Sequence, residues 1–225
     1  LDIDYRPVLW GLTTPGDGKT RYIPSLDVTA RFQEILCEFD LIVGTEEEFE
    51  IAGGSQDLIS SLREVRKRSN AALVIKLGAL GCAVIEGQIP NRIEDAFTVP
   101  SPRVEVLNVL GAGDAFLAGF FSGWLRGFDY DICCQRANAS GALVVSRHSC
   151  APAMPTEEEL QYFIEHVDTL TEPAVDNTLN WLHHVTPKRR VWNDVFVFAF
   201  DHRSQLYDLA RQVGAAESRL PALKR

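Results

Sequence analysis

The stretch Asn108-Val109-Leu110-Gly111-Ala112-Gly113-Asp114 runs straight into the apolar helical segment AFLAGFFSGWLRG at 115–127. Glycine lets the backbone turn tightly and lets a ligand approach without interference from a Cβ. Backbone N–H groups at the start of the helix then point at one spot, and the helix dipole adds partial positive charge there. Such a turn is an anion site, suited to the charge that develops on a transferred phosphoryl group. Asp114, in the first helical turn, is placed to accept the proton of an attacking hydroxyl. The same residues also read as a Gly-rich cap in which Asp114 only complements the dipole, so the surrounding chain has to decide.

Working outward, the apolar spacing of LDVTARFQEILC at 26–37 predicts a helix, and DLIV at 40–43 a short buried strand. Thr45 starts a helix, and a second, with Arg, Lys and Glu on its outer face, is predicted at about 55–69. ALVIK at 72–76 and CAVIE at 82–86 read as two strands joined by the tight LGALG turn. Beyond the central turn, 129–147 is a helix rich in small residues, and the turn PAMP at 152–155 precedes the acidic helix start TEEEL. Alternating short apolar strands and helices indicate an α/β layered domain. After about residue 168 the periodicity weakens, and 169–190 reads as a linker with room for one short helix. VFVFAF at 195–200 is then an apolar strand, followed by Asp201-His202-Arg203 and a helix to about 213.

Composition narrows the function classes. The 225 residues are 46% hydrophobic and 24% charged, values that set aside disordered, collagen-like and coiled-coil readings. Apolar runs fall far short of the roughly 18 residues of a membrane span. Twenty-two Lys plus Arg against 31 Asp plus Glu give a net charge of −9, which does not suit a dedicated nucleic-acid binder. Five scattered cysteines without metal-ligand spacing predict reduced thiols in a cytoplasmic protein. The chain opens on Leu1, and its one methionine, Met154, is internal. Both ends read as cut, so a piece of a longer protein is expected.

GAGDAFLAGF resembles the C-terminal signature of the ribokinase-like (pfkB) sugar kinases. DIDYRPVLW, VGTEEEFE, VIKLGALGCAV and RANASGALVVSR fall in the family's order, so the resemblance covers about residues 1–165. It implies the C-terminal half of a three-layer α/β/α kinase domain over 1–168, with ATP and Mg²⁺ as cofactors. The tail at 191–225 resembles the first βα unit of an aldolase-like barrel fused behind the kinase. One such unit cannot close a barrel, and Asp201 at the strand end also reads as an N-cap, so no catalysis is assigned there. The implied reaction is ATP-dependent phosphorylation of the primary hydroxyl of 5-dehydro-2-deoxy-D-gluconate. Kinases acting on 2-keto-3-deoxygluconate or fructose are the alternatives within the family. A fragment that binds nucleotide without turnover is the alternative outside it. Expected partners are the sugar acid and ATP, with neither nucleic acid nor membrane; assembly into a homo-oligomer is left open.

Residue by residue, the resemblance makes Gly111, Ala112 and Gly113 the anion hole and Asp114 the base. Asn108 stands where the family commonly has an Asp that helps bind a monovalent cation, which puts potassium activation in doubt. Thr45-Glu46-Glu47-Glu48 resembles the motif whose Glu helps place magnesium and its waters; it is equally a capping box, with Glu48 reaching back to Thr45. Arg6 matches a substrate-holding position, where a guanidinium fork suits a carboxylate, and otherwise reads as a surface ion pair with Asp2 or Asp4. Lys76 and Gly78 are expected near the nucleotide, Lys76 alternatively as a solvated strand end. Asn138 is expected beside the adenine, or else in close helix packing.

Overall fold

The computed structural model describes residues 1–14, 22–187 and 204–216. The expected barrel strand at 195–200, with Asp201 and His202, lies outside the described residues. The chain divides into two compact units, one of Leu1–Asp4 with Pro24–Lys188 and one of Tyr5–Ile23 with Arg189–Arg225. In the second unit, Arg6 precedes a short 3₁₀ helix, Pro7–Trp10, and the Tyr5 hydroxyl donates to the carbonyl of Ile23 at 2.7 Å. Its other described element is a helix at Ser204–Gln212.

In the first unit, strands β1 (Leu41–Thr45), β2 (Ala72–Lys76), β3 (Cys82–Ile85) and β4 (Phe97–Val99) form one sheet in that order. β1 and β2 are parallel, with Val43 opposite Val74, whereas β2–β3 and β3–β4 are antiparallel. At the free edge of β1, residues 1–3 run parallel to it: Ile3 N–H donates to Val43 and Val43 N–H donates to Leu1, at 2.9 and 2.8 Å. The apolar runs seen in the sequence are fully buried on both faces, as strands covered by helices on both sides require. The turn between β2 and β3 needs its glycines: a Cβ on Gly81, at φ +103°, would lie 2.0 Å from the carbonyl oxygen of Val99.

Helices α1 (Leu26–Ile35), α2 (Glu46–Gly53) and α3 (Leu58–Arg66) lie in the first half of this unit. Helices α4 (Ala112–Trp124) and α5 (Tyr130–Val145) lie in the second. Leu41, Val43, Ala72, Val74, Cys82 and Val84 line one sheet face and pack with Phe116, Phe120 and Ala137 of α4 and α5. The alternate residues Ile42, Leu73 and Ile75 are buried on the opposite face, and α2 packs on β1 and β2. The result is the expected three-layer α/β arrangement. All five cysteines are free thiols. A hydrogen bond with Cys82, together with burial, pushes the Cys134 thiol above its ordinary value, so this thiol stays protonated. Among the described residues, no helix is long and apolar enough to cross a membrane.

Two further helices, α6 (Glu157–Glu165) and α7 (Asn177–Val185), complete this unit. The stretch expected as a linker therefore contains α7, whose Leu179 is fully buried with Leu143, Leu160 and Phe163. Helices α4 and α5 meet through small residues. A Cβ on Gly119 would lie 2.5 Å from the Arg136 carbonyl oxygen and 2.6 Å from Ser140 Oγ. Gly119→Ala is therefore expected to destabilise this unit by about 1–3 kcal/mol through overpacking. A lower urea midpoint at unchanged slope would report it; an unchanged midpoint would show that the two helices can part at no cost.

Candidate active site

The turn at 108–114 forms the N-terminus of α4. Gly111 is its N-cap at φ +82°, and no side chain caps the helix. Asp114 lies in the first turn and is exposed, where its carboxylate both complements the dipole and stays open to a ligand. The first N–H groups of a helix have no intrahelical acceptor, so the amides of Gly113 and Asp114 are open to a ligand. A Cβ on Gly111 would lie 2.4 Å from Cys150 Sγ, so the residue is required by both its φ and its neighbour.

Three other elements bring side chains to this helix end. A Cβ on Gly113 would stand 3.7 Å from Lys76 Nζ, so the ammonium group lies directly against the turn. Lys76 ends β2 with its side chain only 14% exposed, and Nζ lies 3.0 Å from Asp2 Oδ1 and 3.6 Å from Glu48 Oε2. Lys76 is thus no solvated strand end. Asp2, one of the two carboxylates read beside Arg6, pairs with Lys76. Glu48 forms the capping box: its Oε2 accepts from Thr45 N–H at 2.7 Å, and its own N–H donates to the Thr45 hydroxyl at 3.3 Å. The cap and the site coincide, because the box holds the carboxylate, 6% exposed, beside Lys76. Glu48 Oε1 makes no hydrogen bond among the described residues. The site therefore sits at the C-terminal ends of the parallel strands, the usual place for ligands in such sheets.

The other expected residues are placed as follows. Gly78 opens the β2–β3 turn at φ +59°, and open space surrounds the position of its absent Cβ. Asn138 is 4% exposed and spends its amide on the carbonyls of Val99 and Pro100, at 3.0 and 3.2 Å, tying α5 to the end of β4. Arg6 belongs to the second unit. A cavity of about 510 Å³ is lined by Val99, Ser101, Arg103, Gln135, Ala139 and Asp168 among others, but by none of Lys76, Glu48 or the 108–114 turn.

Comparison with known proteins decides the family. The model described as pfkB family carbohydrate kinase matches residues 17–157, which is more than half of the chain. The chain belongs to the pfkB family of carbohydrate kinases. A second model, described as an uncharacterised protein conserved in bacteria (DUF2090), matches residues 159–225. The chain is 30% identical over 170 residues to the 5-dehydro-2-deoxygluconokinase of Bacillus subtilis, covering 73% of this chain and 46% of that protein. The enzyme of the same name from Listeria innocua is 27% identical over 174 residues, 75% of this chain and 47% of that one. The chain thus spans about half the length of the curated relatives it matches.

Among solved structures, the aminoimidazole riboside kinase of Salmonella enterica superposes with a TM-score of 0.56 at 22% identity, over 72% of this chain and 50% of that one. The ribokinase of Arabidopsis thaliana superposes with a TM-score of 0.52 at 22% identity, over 59% and 43%. The fold is ribokinase-like.

No group of three or more His, Cys, Asp or Glu among the described residues could hold a metal ion by itself. Glu48, with one carboxylate oxygen uncommitted, fits a magnesium ion held mainly by phosphates and water. The monovalent cation implied by the resemblance does not fit: at 108 the donor set presents amide hydrogens, which donate to the carbonyls of Arg147 and Ser149.

Proposed function

We propose that the protein carrying this chain transfers the γ-phosphoryl group of ATP to the primary hydroxyl of 5-dehydro-2-deoxy-D-gluconate. The observation that supports this reading is the meeting of Lys76, Glu48 and the open amides of α4 around Gly113, with Asp114 exposed beside them. Family membership supports the reaction class, and the named relatives support the substrate.

In this reading the sugar hydroxyl attacks the γ-phosphorus, the bond to the β–γ bridging oxygen breaks, and ADP leaves. The open amides of Gly113 and Asp114 carry the charge on the transferred group, and Asp114 takes the hydroxyl proton. The Ala112 N–H, expected in the anion hole, instead donates to the Val109 carbonyl at 3.3 Å. Lys76, held by Asp2 and Glu48, adds a fixed positive charge against Gly113. Glu48 would hold magnesium through water, and the ion would neutralise phosphate charge. Gly78 leaves room for the nucleotide beside the β2 end. Asn138 acts on it indirectly, by fixing the end of β4. Arg6 enters on its chemistry alone, as a guanidinium fork for the sugar carboxylate.

The test is ATP-dependent phosphorylation by the full-length protein over keto-sugar acids and neutral sugars. Selective turnover of 5-dehydro-2-deoxygluconate is expected. Turnover of fructose or 2-keto-3-deoxygluconate instead would keep the kinase and discard the substrate. The half-length coverage of its relatives favours a second reading for these 225 residues taken alone, binding of Mg-ATP without transfer. Turnover by the isolated chain would end that reading.

A further inference from the structure

The loop ahead of α4 is set by one side chain. Asn108 Nδ2 donates to the carbonyl oxygens of Arg147 and Ser149, at 3.3 and 3.0 Å, and its Oδ1 accepts from Leu110 N–H at 2.7 Å. The last contact fixes the orientation of the amide. Only the oxygen can accept from a backbone N–H, so the two amide hydrogens must face the two carbonyls. Asparagine meets both demands. Aspartate would keep the bond to Leu110 but has no donor, and leucine has neither group.

The two carbonyls belong to the loop just past α5, which ends at Val145, on the negative side of its dipole. Whatever joins them to the next loop must donate hydrogen bonds or carry positive charge. Here it is the partial charge of a covalently attached amide. A carboxylate in its place would face both carbonyls with oxygen alone, the donor set of a hard cation. The join matters because the two loops interlock: Cys150 Sγ packs on Gly111, and Asn108 N–H donates to Val145 O at 3.1 Å. A shift of residues 147–150 is therefore a shift of the anion turn.

We infer that Asn108 is a positioning residue whose amide takes the place of a bound monovalent cation between the two loops, so that the turn is set without such an ion. The inference rests on reading Gly111–Asp114 as the phosphoryl-transfer turn. Its test uses the full-length protein in KCl and in choline chloride at equal ionic strength, read by kcat and by thermal melting. The wild type is expected to show the same kcat and melting temperature in both salts. Asn108→Asp loses two donors and is expected to lower kcat about tenfold or more in choline chloride. KCl should restore most of that rate and raise its melting temperature by several degrees, as a ligand of the native state does. Asn108→Ala should be slow in both salts, with no melting response to potassium.

A wild type that needs potassium would overturn the inference. So would an Asn108→Asp variant that equals the wild type in choline chloride or gains nothing from KCl. Should that variant unfold in both salts, the wild type decides by its own response. The melting measurements need no substrate, so they still judge Asn108 if no sugar is turned over and the kinase reading fails.

Discussion

Asp114→Asn is expected to leave ATP affinity nearly intact and to lower kcat by about 10²–10⁴-fold, the range for a lost general base. The substitution is close to isosteric, and the geometry separates the two properties. ATP would be held by the backbone amides of Gly113 and Asp114 and by Lys76, none of which the change removes. The cap is Gly111, and no side chain serves in that role, so Asn at this position takes nothing from the helix start except charge. The lost interaction of a carboxylate with the dipole is worth about 0.3–1 kcal/mol, too little to unfold the unit. Equilibrium binding of Mg-ATP, steady-state kcat and a melting curve, taken together, test the assignment. Wild-type kcat in Asp114→Asn would move the proton to another acceptor, and a large loss of ATP affinity would make Asp114 a binding group instead.

The sequence carried the local half of this site and little of the long-range half. The runs at 41–43 and 72–76 were legible as buried strands because a strand covered on both faces needs unbroken apolar residues. Thr45-x-x-Glu48 was legible as a capping box, and the box holds Glu48 beside Lys76. Gly111–Asp114 was legible as an anion turn only through the ordered motifs around it, since glycine before a long apolar helix reads equally as a cap. The pairing of Lys76 with Asp2 was not legible: the two are 74 residues apart, and nothing in either neighbourhood marks the other. β4 escaped for a similar reason, since Phe97 and Thr98 are exposed and the three-residue strand is defined by its pairing to β3. Asn108 stood out only as a departure from the family's usual residue. Its three contacts depend on where α5 happens to end.

Glu159→Ala is expected to cost about 3–5 kcal/mol, because it leaves a buried charge without its partner. Glu159 is fully buried and its carboxylate is shared. Oε1 accepts from Arg147 Nη2 at 2.6 Å, and His183 Nδ1 lies 3.0 and 3.1 Å from the two oxygens. Oε2 also accepts from Thr156 N–H at 2.8 Å, closing the capping box of α6. One carboxylate thus joins the segment after α5 to α6 and α7, and it keeps two cationic or donor groups, Arg147 Nη1 and His183 Nδ1, at 3.3 Å from each other. For a unit of this size the loss corresponds to a fall of roughly 6–20 °C in melting temperature. Removing both charges in Arg147→Met with Glu159→Leu should recover much of the loss, since a matched apolar pair avoids the desolvation that the ions suffer. The backbone carbonyl of Arg147 survives that exchange, so the tie to Asn108 should survive with it. A double variant no more stable than Glu159→Ala would mean that His183 and the α6 cap, rather than the stranded guanidinium, account for the cost.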